Sequence, residues 1–199
     1  MVLHEIVGAI AGVTVEVAAW DGVGAAVDLS CACIFTHEIG GSPPQGGLAH
    51  LDNALGGRLL ALRNDGHFPA SLGDSLLIDT PPPAIAARAL LVVGLGAPEG
   101  WTSDGLSAAV RLAGTIALAR RAGSVAFAPS MLDSGLLPPQ TQNAPRAMVA
   151  GLAAALNANA RLQEITLAGE AMLERWYFDV GEARFDQAVT QFHAALQDY

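Results

Sequence analysis

The run Gly94-Leu95-Gly96-Ala97-Pro98-Glu99-Gly100 follows the apolar stretch RALLVV and leads through Trp101 into the polar pair Thr102-Ser103. A helical pattern begins there. A glycine-rich turn at the start of a helix offers free backbone N–H groups and the positive end of the helix dipole, which suits phosphate. Gly94, Gly96, Thr102 and Ser103 are therefore the residues assigned to a small-molecule edge, which would suit a nucleotide-like ligand. Glu99 and Asp104 add negative charge close by and work against a phosphate. A single Gly-x-Gly after a strand is more often a tight turn than a nucleotide site. Trp101 fits either stacking on a base or covering the helix end.

Other chemistries are limited by residue type. There is no lysine, so every cation is an arginine. That removes P-loop phosphate binding, Schiff-base chemistry and a lysine general base. His4, His37, His50, His67 and His193 show no HxxxH or HxH spacing of the kind that marks a metal site; His37-Glu38 is the one pair to inspect. Ser71, Ser75, Ser130 and Ser134 lie in no GxSxG setting, which argues against a serine hydrolase. Cys31 and Cys33 are two apart in a strand-like stretch, so they share a face and are poorly placed to bridge each other. They read as small buried hydrophobes in a reducing compartment.

The composition bounds the rest. A chain of 199 residues forms one domain, 1–199, with a substantial core. Hydrophobic residues make up 52% and charged residues 15%, which is a globular balance. Aromatics are only 6%, so alanine-rich helices in close contact are expected rather than an aromatic recognition surface. The formal net charge of −9 repels phosphate backbones and argues against nucleic acid as a partner. No stretch approaches the ~20 apolar residues that span a membrane. The N-terminus opens with His4 and Glu5 rather than a cationic segment, so no signal peptide is expected and the location reads as cytoplasmic.

The elements that position these residues follow from periodicity. Strands are expected at Val13–Trp20, Asp28–His37, Ser75–Asp79, Leu90–Val93, Ser124–Ala128 and Glu164–Leu167. Leu48, Leu51, Leu55, Leu59 and Leu62 predict one helix with Gly56-Gly57 inside it, where a close neighbour is expected. Thr102 or Ser103 caps the next helix, which ends at Gly123. Pro145 opens an Ala-rich helix with Met148, Leu152 and Leu156 on its inner line. Phe185, Val189, Phe192 and Leu196 mark the last. Strands alternating with helices predict an α/β fold, a three-layer α/β/α sandwich with a mixed, mostly parallel sheet. The loop Ser130–Asn143 carries Met131, Leu132, Leu136 and Leu137, which suit either contact with another chain or packing back onto the domain.

LDNALGG, SLGDSLLIDTP, RALLVVGLGAPE, APRAMVAGLAAAL and ITLAGE together resemble the N-terminal domain of the leucyl (cytosol) aminopeptidase family. The resemblance runs from about Asp28 to the terminal helix. It implies a macro-domain-like fold and packing within a hexameric peptidase. It also implies that the peptidase site lies in another domain, where carboxylates and a lysine hold two metals beside NTDAEGR. This chain has neither that motif nor a lysine, and its acids are scattered. No catalytic residue, metal or cofactor is therefore assigned. The leading expectation is a non-catalytic binding or assembly module, acting as a homo-oligomer or on a protein partner. The alternatives are a macro-like module binding ADP-ribose or another nucleotide, and an isolated piece of a larger metallo-aminopeptidase or multidomain protein.

Overall fold

A hairpin opens the fold in the computed structural model, which describes residues 3–20, 23–36, 46–129 and 141–199. Strand β1 (Leu3–Ile10) pairs antiparallel with β2 (Val13–Ala19). Ala11 and Gly12 join them with φ of 47° and 85°, both left-handed as a two-residue hairpin turn requires. The strand expected first, Val13–Trp20, is therefore the second, and β1 precedes it. The remaining strands are β3 (Leu29–Ile34), β4 (Ser75–Ile78), β5 (Ala89–Gly94), β6 (Ser124–Ala128) and β7 (Arg175–Asp179). The helices are α1 (Gly46–Ala54), α2 (Arg58–Asn64), α3 (Ser103–Ala119), α4 (Ala144–Glu164) and α5 (Phe185–Leu196).

The strands form one sheet in the order β1-β2-β7-β6-β3-β5-β4. The β2-β7, β7-β6, β6-β3 and β3-β5 pairs are parallel, and only the outer strands β1 and β4 run antiparallel to their neighbours. Side chains alternate across it. Cys31, Leu91, Val125, Phe127, Trp176 and Phe178 point to one core, shared with Leu106, Val110, Leu152 and Phe192 of α3, α4 and α5. Ile34, Leu90, Val92, Ala126 and Tyr177 point to the other, under Leu48, Leu51, Leu55 and Leu59 of α1 and α2. Burial on both faces explains why β5 reads as an unbroken apolar run. The three-layer, mostly parallel α/β architecture expected from the sequence is present.

Two expectations about local structure are corrected. The leucine stripe from Leu48 to Leu62 belongs to two helices, because Gly56 and Gly57 take φ of 65° and 76°. Left-handed residues end a helix. Among the described residues, nothing lies within 4 Å of a side chain placed at Gly57, and only the tip of Arg58 does so at Gly56. These glycines make a turn rather than a close contact with a described neighbour. The last strand is β7, Arg175–Asp179, rather than Glu164–Leu167: α4 continues to Glu164 and a turn follows. Close helix contact is found between α3 and α4, where Gly151 faces the Ser107 backbone and Gly114 faces Ala155.

Asp28 ties the amino ends of β3 and β6 together. Its Oδ2 accepts from the backbone N–H of Gly123 at 2.8 Å and of Ser124 at 3.1 Å. Its Oδ1 lies 3.1 Å from Nη1 of Arg88. Asp28→Ala leaves two backbone donors without this acceptor and is expected to cost about 1–3 kcal/mol, to be read from urea unfolding. An unchanged midpoint would show that solvent replaces the carboxylate fully.

Candidate functional site

Gly94 ends β5, Gly96 turns the chain with φ of 73°, Thr102 caps α3 and Ser103 opens it. The Thr102 hydroxyl accepts from the Gly105 N–H at 3.1 Å, so Thr102 rather than Ser103 is the cap. The fold brings the turn to the carboxyl edge of the sheet, beside the end of β3. There the Leu95 N–H donates to the Ile34 carbonyl at 2.8 Å, and the Thr36 N–H donates to the Gly96 carbonyl at 2.9 Å.

The same edge already holds part of the chain. Residues 70–74 cross it, with the Gly96 N–H donating to the Ala70 carbonyl at 3.1 Å, the Gly94 N–H to the Asp74 carbonyl at 2.8 Å, and the Gly73 N–H to the Gly94 carbonyl at 3.1 Å. A methyl group at Gly94 would stand 2.3 Å from the Ser71 carbonyl oxygen. One at Gly96 would meet Leu72 at 3.4 Å, and one at Gly105 would meet Leu72 Cδ1 at 3.3 Å. The glycines thus admit the chain's own backbone and the Leu72 side chain. Ala70 enters the crossing fully buried with a left-handed φ of 59°, an uncommon conformation for alanine. Sequence reasoning missed this segment.

Trp101 is half-buried and packs against the core beside the start of α3. Its indole N–H is enclosed and meets no acceptor among the described residues. The depression lined by Leu72, Leu95, Trp101, Thr102 and Gly105 measures about 180 Å³ with the solvent open to it included, and it has no enclosed room for water.

Elsewhere the polar groups are dispersed. His4 stands on β1, His50 on α1, His67 beyond α2 and His193 on α5. Among the described residues, no group of three or more His, Cys, Asp or Glu could hold a metal ion. The His37-Glu38 pair and residues 130–140, with Met131, Leu132, Leu136 and Leu137, lie outside the described residues. Glu16 on β2 is buried, with His4 Nδ1 2.8 Å and Arg175 Nη1 3.7 Å from its carboxylate oxygens. A buried carboxylate needs such partners. The cluster ties β1, β2 and β7 together laterally.

Cys31 and Cys33 are buried on the same face of β3. Burial pushes the Cys31 thiol well up, and Cys33 adds to the effect. Thiolate is the reactive form, so a disulfide reagent added to the native protein is expected to label neither cysteine until the chain unfolds. Prompt native labelling would overturn that. The sign for stability follows from linkage: the unfolded thiol ionises near pH ~8.5 while the folded one does not. The contribution is therefore complete below that pH and is lost as the pH rises toward the folded value.

Residues 34–164 match the family described as the cytosol aminopeptidase family, N-terminal domain. The chain belongs to this family. No curated protein matches it in sequence. Among solved structures it is similar to a tomato leucine aminopeptidase mutant, with a TM-score of 0.63 and 18% identity over 85% of this chain and 33% of that one. It thus spans about a third of the tomato enzyme's length. It is also similar to an Oceanobacillus iheyensis macrodomain with ADP, with a TM-score of 0.68 and 13% identity over 100% of this chain and 97% of that one. A Trypanosoma brucei macrodomain in complex with ADP-ribose aligns with a TM-score of 0.64 and 18% identity, over 92% of this chain and 68% of that one. The fold of this aminopeptidase-family domain is macro-domain-like. Among its described residues, no helix is long and apolar enough to cross a membrane.

Proposed function

We propose that this aminopeptidase-family domain is a non-catalytic binding or assembly module, acting through contacts with its own copies or with a protein partner. The observation that carries this reading is the occupation of the glycine-rich edge by residues 70–74, which turns Gly94 and Gly96 toward internal packing. Exposed apolar side chains supply contact surface: Leu162 and Ile165 near the end of α4 are 41% and 44% exposed, and Leu167 and Met172 beyond it are 73% and 50% exposed. Sedimentation velocity and partner capture with the purified protein test the proposal. A self-associating or partner-bound protein whose complex is lost in the Leu167→Asp/Met172→Asp double variant is the expected result. A strict monomer that captures no partner would sink it.

A second reading, a macro-like module for ADP-ribose or another nucleotide, is favoured by the sheet topology. β3 leads to α1 on one face and β6 leads to α4 on the other, although the two strands are neighbours. Open α/β sheets bind ligands outside the carboxyl ends of strands at such a switch point. Thermal unfolding with excess ADP-ribose, ADP or AMP tests it. Ligand at a hundred times its dissociation constant adds ~2.7 kcal/mol to stability, a shift of roughly 5–10 °C for a domain of this size. Leu72→Trp fills the Gly96 edge further, so it abolishes a shift arising there and spares one arising at the ends of β3 and β6. No shift at millimolar ligand removes this reading. A third arrangement, this domain as one part of a longer metallo-aminopeptidase or multidomain protein, fits the one-third coverage of the tomato enzyme, and the genomic reading frame decides it.

A further inference from the structure

We draw no further inference here: the strongest candidate, the exposed apolar surface that Leu162, Ile165, Leu167 and Met172 contribute at the end of α4 and in the loop after it, belongs to the contact surface already proposed, and nothing in the structure shows what covers it.

Discussion

Gly151→Ala is expected to destabilise the domain by about 3 kcal/mol, the upper end of the usual cost of overpacking a filled core. The added methyl would stand 2.3 Å from the Ser107 carbonyl oxygen and 3.0 Å from Val110 Cβ. The nearer obstacle is helix backbone, which cannot rotate aside as a side-chain tip would. Either α3 and α4 move apart or the contact is broken. Both outcomes disturb Val110, Ala113, Leu152 and Ala155, which are buried around the crossing. For a chain of this length the melting temperature should fall by roughly 6–12 °C. Gly47→Ala is the control, since Gly47 lies near the start of α1 with nothing among the described residues within 4 Å of its added methyl and no left-handed φ. It should leave the melting temperature unchanged or raise it slightly. If Gly151→Ala melts with the wild type, the two helices do not touch as described.

Trp176→Ala should cost about 3–5 kcal/mol, as large aromatic deletions in cores do. Trp176 is fully buried on β7, with its ring centroid 6.3 Å from that of Phe127 and 6.0 Å from that of Phe178. Phe178 stacks in turn on Phe192 of α5, with centroids 4.5 Å apart. Removing the indole therefore opens a cavity beneath α3, α4 and α5 together. Trp176→Phe is the informative companion. The Trp176 Nε1 proton meets no acceptor among the described residues, so phenylalanine forfeits no hydrogen bond and trades away only volume. Its expected cost is under about 2 kcal/mol. Denaturant titrations of the two variants separate the terms. Equal losses would mean that the indole N–H is bonded in solution and that this account of the core is wrong.

The strongest sequence signals were those that burial and periodicity write directly. RALLVV is apolar throughout because β5 is covered on both faces, and the spacing of Phe185, Phe192 and Leu196 survives as the inner side of α5. The Thr102 cap was legible because a hydroxyl before a helical run satisfies a local N–H, a matter of four residues. Errors came where two principles competed. The leucine stripe from 48 to 62 keeps helical spacing across Gly56-Gly57, yet the backbone freedom of those glycines lets the chain turn and start a second helix in nearly the same phase. The last strand is expected at Glu164–Leu167, whereas RWYFD, five residues with a charge at each end, shows no clean alternation. Its buried centre becomes evident only when β2 and β6 flank it on either side.

The glycine-rich turn marks the boundary between the two kinds of information. Residue types and local spacing determined that Gly94 to Ser103 would be a strand end, a turn and a capped helix start, and that lysine-dependent chemistry was closed to this chain. They also determined the α/β class, because alternating strand and helix periods admit few other packings. Only the tertiary structure decided what the glycines face. Their neighbours, Ser71 and Leu72, are more than twenty positions away in sequence, in a segment that Ala70, Gly73 and Asp74 hold to the glycines by backbone hydrogen bonds. A glycine leaves room without naming its occupant. Which atoms fill that room depends on contacts across the fold, and no local pattern in the chain encodes them.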